Sequence, residues 1–264
     1  MLNYVVTFLS SIIFGTIIFL ETNNDDSTFD VLNESDQWKL TFEDQCTIDW
    51  TKQWTLDGKV ATVKNSKTGM HFKAGPEYGN DAHHAVLWTK ESFKGDIKIE
   101  YDYIRTDSAT KCVNILYIQA TGDEEGVYQK DISKWRNLRE VPAMRIYFEN
   151  MDTFHISYAA FGNKGDGLYY IRARRYPKPD DKPFNSIVVK PSYDMQGLFE
   201  TGKTYHITAI KTTRKLSFKM ECEDRVEYFE WDISNIEPII SGRIGLRQMY
   251  TRSSIYKNFK IYSK

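Results

Sequence analysis

The chain has 264 residues, with 35 Lys and Arg against 36 Asp and Glu and a formal charge of -1. That length buries roughly 70–75% of the unfolded surface, and the charge balance gives no global source for the counterion release that drives nucleic-acid binding. Hydrophobic residues at 41% and charged residues at 27% exclude a disordered chain, a collagen and a multi-span membrane protein.

Residues Met1 to Leu20 carry no charged side chain, and the apolar run from Tyr4 to Leu20 ends abruptly at Glu21. Such a segment reads as an export signal over residues 1–21. The run nearly spans a bilayer and lacks a clean small-residue cleavage site, so an uncleaved N-terminal anchor is the alternative. Either way the folded part faces outward, in the periplasm or secreted. A polar linker is expected over 22–35, and one domain from 36 to 264.

From there strand-like segments recur, each alternating apolar and polar residues between Gly, Asp, Asn or Pro. They are Lys59–Val63, Ala85–Trp88, Asp96–Arg105, Val113–Gln119, Arg145–Phe148, Thr153–Tyr158, Tyr205–Lys211, Leu216–Met220 and Gly242–Leu246. One helix is expected near Asp131 to Leu138, where Ile132, Trp135 and Leu138 share a face. The Pro-rich stretch Tyr176–Pro183 reads as a surface loop, since proline cannot enter a central strand. Many short strands without helical crossovers predict an all-β antiparallel sandwich or jelly roll. Cys46, Cys112 and Cys222 are an odd number at wide spacing, so buried free thiols are favoured over a disulfide.

No Walker loop, dinucleotide fingerprint, H-E-x-x-H or G-x-S-x-G occurs, which removes several enzyme classes. The acidic clusters Asp123–Glu125 and Asp180–Asp181 lack the spacing of a calcium loop. What remains is polar residues on strand faces, together with an aromatic content of 14% that suits sugar-stacking platforms. Around His83–Trp88, alternation separates Ala85 and Leu87 from His84, Val86 and Trp88, so His84 and Trp88 can line a groove; the plainer reading is a half-exposed histidine and a core tryptophan. In Phe154–Tyr158 it separates His155 and Ser157 from Phe154, Ile156 and Tyr158, and a histidine there is a candidate general base. In Tyr169–Tyr176 it groups Tyr170, Arg172 and Arg174, forks that suit an anionic sugar, or else a solvated basic edge strand. Arg105, Asn114 and Gln119 are weaker candidates for donors to the same groove, and Arg247 lies opposite Leu246 and Gln248.

Trp54-Thr-Leu-Asp-Gly58, His84-Ala-Val-Leu-Trp88, Phe154–Tyr158, Ile171-Arg172, Gly242–Met249 and Tyr256-Lys-Asn-Phe259 make the sequence from about Trp38 to Tyr262 resemble the YesU-like family. This is a domain-of-unknown-function group with a galectin or concanavalin A type jelly roll. The resemblance implies a role in degrading uronic-acid polysaccharides such as rhamnogalacturonan or ulvan, with lyase or dehydratase chemistry on their oligosaccharides. His84, Trp88, His155, Tyr158, Arg172, Arg247 and Gln248 match the family's pattern, whereas His83, Arg174 and Arg175 fall outside it.

The leading expectation is therefore β-elimination on a uronic-acid unit of an anionic oligosaccharide or polysaccharide. The reaction needs a cation on the carboxylate, a base for the C5 proton and an acid for the departing oxygen, and arginine, histidine and tyrosine supply these without a metal or cofactor. Arg172 is expected to clamp the carboxylate with help from Arg247, His155 to act as base and Tyr158 as acid, or the reverse, with His84 as substitute base. Trp88, Arg105, Gln119, Arg174 and Gln248 are expected to hold the sugar. In an unbroken strand His155 and Tyr158 point to opposite sides, so a bulge must intervene for both to reach one substrate. The alternatives are a non-catalytic, lectin-like carbohydrate-binding protein using the same residues, and a glycoside hydrolase, for which Glu149 and Asp152 are available carboxylates.

Overall fold

The structure, a computed structural model, describes residues 24–162, 168–194 and 197–264. Helix α1 (Asn24–Asn33) precedes strands β1 (Lys39–Asp44), β2 (Trp54–Asp57), β3 (Thr62–Ser66), β4 (Gly69–Lys73), β5 (Ala85–Thr89) and β6 (Phe93–Lys94). Strands β7 (Ile97–Arg105) and β8 (Cys112–Gly122) lead to helix α2 (Met144–Asn150), followed by β9 (Met151–Phe161), β10 (Tyr169–Tyr176) and β11 (Val188–Asp194). The chain closes with β12 (Thr204–Lys211), β13 (Lys215–Cys222), β14 (Arg225–Asp232), β15 (Ser241–Gln248) and β16 (Ser253–Ser263).

The strands form two eight-stranded sheets, paired antiparallel throughout. The first runs β14-β13-β12-β7-β16-β4-β3 with β1 also on β16; the second runs β11-β10-β9-β8-β15-β5-β2 with β6 on β15. The fold is thus the antiparallel β sandwich that the alternation predicts. Between the sheets, Ile97, Ile99, Tyr101 and Tyr103 of β7 meet Phe154, Ile156 and Tyr158 of β9 and Ala85 and Leu87 of β5. Each large apolar side chain so buried contributes about 1.5–3 kcal/mol. Asn114 Nδ2, Gln248, Ser254 and the hydroxyl of Tyr256 hydrogen-bond one another within this layer over 2.8–3.2 Å.

The outer face of the second sheet is buried as well. Ile132, Trp135 and Tyr147, from the segment between β8 and β9, pack on Val86, Trp88, Ile115, Tyr117 and Tyr176, and Phe184 packs from the β10–β11 connection. The cover is pinned by one carboxylate. Asp57 Oδ2 accepts from Trp88 Nε1 (2.7 Å), Arg139 Nε (2.6 Å) and the Tyr147 hydroxyl (3.1 Å), all buried. Gly245 leaves room for the Trp88 indole, whose ring would lie 2.4 Å from any Cβ there.

Several expectations change. Arg145–Phe148 is not a strand but part of α2, and the strand expected over Lys59–Val63 begins only at Thr62. The helix expected near Asp131 is a kinked 3-10 segment, Ile132–Arg139, that buries Ile132 and Trp135 while Leu138 stays exposed. Within the expected linker 22–35 lies α1, whose Phe29 is buried edge-on against Tyr228. All three cysteines are free, Cys46 and Cys112 buried. The signal or anchor at 1–21 lies outside the described residues, and among those described no helix is long and apolar enough to cross a membrane.

Removing one partner of a buried ion pair strands the other charge. Asp57→Ala is therefore expected to lower stability by about 3–5 kcal/mol, read from the urea midpoint; a loss below about 1 kcal/mol, the scale of a surface pair, contradicts the pinning role.

Candidate functional site

A cleft of about 560 Å³ opens on the outer face of the second sheet. Its floor is His155 and Ser157 of β9 and Tyr170, Arg172 and Arg174 of β10, with Val113 and Ile115 of β8; Met144, Phe148 and Phe184 of the covering segments form its walls. Register explains the gathering, because Arg172 lies opposite Ser157 and Arg174 opposite His155. Such cross-strand neighbours stand about 4.5–5.5 Å apart. Arg172 and His155 therefore share one hollow. No Asp or Glu is among the described residues that line it.

Arg174 is buried, and its Nη1 donates to His155 Nε2 (3.3 Å) and to Ser157 Oγ (3.4 Å) while the guanidinium lies 4.8 Å over the Phe184 ring. A guanidinium only donates, so Nε2 accepts and the neutral imidazole carries its proton on Nδ1. That nitrogen has no hydrogen-bond partner among the described residues. Burial first, and then the charges of Arg174, Arg247 and Arg172, hold His155 well below the usual histidine range, so it is neutral at physiological pH. Arg172 keeps an open side: Nε donates to Ser192 Oγ (2.7 Å), Nη2 stands 3.8 Å from Asp194, and the guanidinium lies over Tyr170 at 4.3 Å. Burial raises the Tyr170 hydroxyl above the usual phenol range, so it stays a donor.

Several sequence candidates do not reach the cleft. Tyr158 points into the layer between the sheets, its hydroxyl 3.2 Å from that of Tyr256. A bulge does occur in β9, at Ala159 with φ 43°, but it follows Tyr158 and so leaves that side chain facing inward. Gln248 is bound in the same layer to Asn114, Ser254 and Tyr256. Gln119 is the extra residue of a bulge in β8 (φ 52°), bonded to the carbonyls of Phe93 and Gly95 and to Lys211. Arg105 is paired with Asp107 at 3.0 Å and bonded to Tyr169. Trp88 lies on the predicted face, but Tyr147 covers it at 6.4 Å and Tyr117 stacks on it at 5.2 Å, so the indole serves the cover rather than a sugar.

His84 is buried at the start of β5 and stacked on Tyr250 at 4.3 Å, accepting at Nδ1 from the Tyr250 amide (3.2 Å). Burial and the charges of Arg247 and His83 push it down to about 2. Arg247 is fully buried over the Tyr147 ring (4.6 Å), donating to the Pro142 carbonyl (2.5 Å), while its Nε and Nη1 have no hydrogen-bond partner among the described residues. Glu149 binds Arg145 at 2.8 Å and Asp152 pairs with Arg175, and neither lines the cleft, so the carboxylate pair of a hydrolase is missing from it. Tyr170 and Ser157 were legible by their period-two relation to Arg172 and His155. Met144, Phe148 and Phe184 come from covering segments that no periodicity located.

Residues 41–261 match the family described as "Domain of unknown function (DUF1961)", and the chain belongs to that family. None of the curated proteins compared with it matches. Among solved structures, it is similar to a protein of unknown function with a galectin-like fold from Bacillus subtilis, at 16% identity and TM-score 0.65, covering 86% of this chain and 98% of that one. It is also similar to a legume lectin-like domain from Entamoeba histolytica, at 8% identity and TM-score 0.56, covering 84% and 97%. The lectin UEA-II, complexed with galactose, is 8% identical at TM-score 0.54, with 84% and 98% covered. These likenesses establish the galectin and legume-lectin type of sandwich.

His84 and His155 bind no proton in the folded state where the unfolded chain binds one each, below about pH 6.5. Stability is therefore expected to fall as pH drops below that value, by about 1.4 kcal/mol per pH unit for each histidine. By NMR both imidazoles are expected to stay neutral down to about pH 5, while half-exposed His206, raised by its bond to Asp102, titrates above the usual histidine value of about 6.5. Protonation of His155 near pH 6.5 would contradict the burial argument.

Proposed function

We propose, for this DUF1961 member on a lectin-type sandwich, that it binds an acidic carbohydrate in the cleft of His155, Tyr170, Arg172 and Arg174. One observation carries the reading: Arg174 is buried at the edge of an open cleft with no carboxylate partner among the described residues. Among the described residues five arginines are buried, of which Arg105, Arg139 and Arg252 are neutralised by Asp107 or Asp57. Arg174 and Arg247 have no such partner among the described residues, and both act on His155. A charge removed from water without a counter-charge is costly, and a ligand carboxylate in the cleft supplies one, with Arg172 as the second fork. The lectin UEA-II, a neighbour in fold, is complexed with galactose, which agrees with a saccharide ligand. Export through residues 1–21 belongs to the same proposal, since it places the domain where polysaccharides occur.

A second reading, β-elimination at the same site, is favoured by the neutral state of His155. Its Nε2 lone pair is held by Arg174; a ligand carboxylate that draws the guanidinium away frees it. The imidazole then takes the C5 proton, the C5–H electron pair forms the C4–C5 double bond, the C4–O bond breaks, and the oxygen collects a proton from Tyr170 in place of Tyr158.

The test is calorimetric titration with galacturonate oligosaccharides and with their neutral galactose counterparts. A charge-assisted hydrogen bond contributes about 1.5–3 kcal/mol, so Arg174→Met is expected to weaken the acidic ligand by roughly 10–150-fold and leave the neutral one unchanged. Equal affinity for the two ligands, or an unaffected Arg174→Met variant, overturns the reading. Growth of unsaturated-uronate absorbance, abolished by His155→Gln, supports elimination; binding without product leaves the protein a lectin.

A further inference from the structure

We infer that the acidic sugar of the proposed function carries an O-acetyl group, whose methyl lies on an apolar wall of the same cleft; the inference rests on that reading and names its ligand more closely. The wall is Met144 and Phe148 of α2 with Phe184 of the β10–β11 connection. Met144 and Phe148 are four residues apart, so one turn of helix sets both on one face. Phe148 packs on Phe184 with ring centroids 4.9 Å apart, which joins the two covering segments into one apolar surface. All three side chains are half-buried and keep an open side, whereas Arg174 and His155 are buried in the floor. Across that floor polarity changes strand by strand. Ile115 of β8 lies opposite Ser157 of β9, and Ser157 opposite Arg172 of β10. Apolar, hydroxyl and cationic side chains thus follow one another at a strand spacing of about 4.8 Å.

A bare uronic acid matches only part of this lining. Its carboxylate meets Arg172 and Arg174, but a ring hydroxyl turned to Met144, Phe148 or Phe184 gives up its water and meets no strong donor or acceptor. Acetylation replaces the hydroxyl hydrogen with an acyl group, whose methyl is stabilised by burial. The ester carbonyl still accepts, and Asn185, exposed at the rim next to Phe184, carries an amide that donates. Span agrees as well. The 2- and 3-oxygens of a pyranose lie across the ring from the C5 carboxylate, which separates carboxylate and methyl by one to two strand spacings, roughly 5–10 Å. Over that width the floor turns from cationic to apolar. Ser157 and Tyr170 place hydroxyls in the same lining, partners for ring oxygens that a plain fatty or aromatic acid lacks.

The experiment is calorimetric titration of the full chain with trigalacturonate and with the same trisaccharide O-acetylated at its 2- and 3-positions. The acetylated acid is expected to bind about tenfold more tightly. Met144→Gln, in the wall, and the isosteric Val113→Thr, in the floor beside it, are each expected to narrow that ratio to below about threefold. Arg174→Met is expected to weaken both acids and preserve their ratio, so the two claims read out separately. Binding of neither acid overturns both. Equal or weaker binding of the acetylated acid, while the bare acid still binds and responds to Arg174→Met, overturns the acetyl inference alone. So does an acetyl preference that survives undiminished in both Met144→Gln and Val113→Thr, and the wild-type comparison stands should either variant fail to fold.

Discussion

Burial of most of both faces of the β11–β2 sheet makes a charged group on its outer face costly unless it finds a counter-charge. Asp57 meets that demand for the cover: three donors from β5, the 3-10 segment and α2 converge on one oxygen. Asp107, after β7, does the same for Arg105 and Arg252. Pairs of this kind are weak evidence of net stability yet costly to break, so they lock geometry. Where the pattern lapses, at Arg174 and Arg247, positive charge lies in low dielectric with no carboxylate partner among the described residues.

That lapse shapes the chemistry of the cleft. Around His155 burial and three arginines act in the same direction, so the imidazole is neutral and its acceptor nitrogen faces a cation. An incoming anion changes both facts at once, because it competes for the guanidinium and offsets its field. The groups involved stand on two adjacent strands in register rather than on loops, and their spacing is set by the ladder. A site held this way loses little entropy on binding.

Much of this was legible in the alternation. His155 with Ser157, and Tyr170 with Arg172 and Arg174, fall on one face by period two, and the structure puts them in one cleft. The same rule placed Trp88 on the correct face and still mispredicted its role, because the 123–150 segment that covers it carries no signal of where it lands. Arg145–Phe148 reads as a strand because four alternating residues do not separate the two periods. Gln119 and Tyr158 turn on bulges. One extra residue in β8 sends Gln119 to the carbonyls of Phe93 and Gly95, and the one in β9 falls a position too late to bring Tyr158 outward.

Taken alone, the order of apolar and polar side chains determined the sandwich, the strand set around its core and the face each strand residue occupies, since a pleated backbone has no freedom to mix its two sides. Tertiary structure decided which part of the outer face stays open, which of the described arginines meet an aspartate, and which oxygen of Asp57 gathers the donors of the cover. Most of those outcomes depend on contacts between residues far apart in the chain, such as Asp57 with Arg139 and Tyr147 or Asp107 with Arg252. Local periodicity carries no information across such separations.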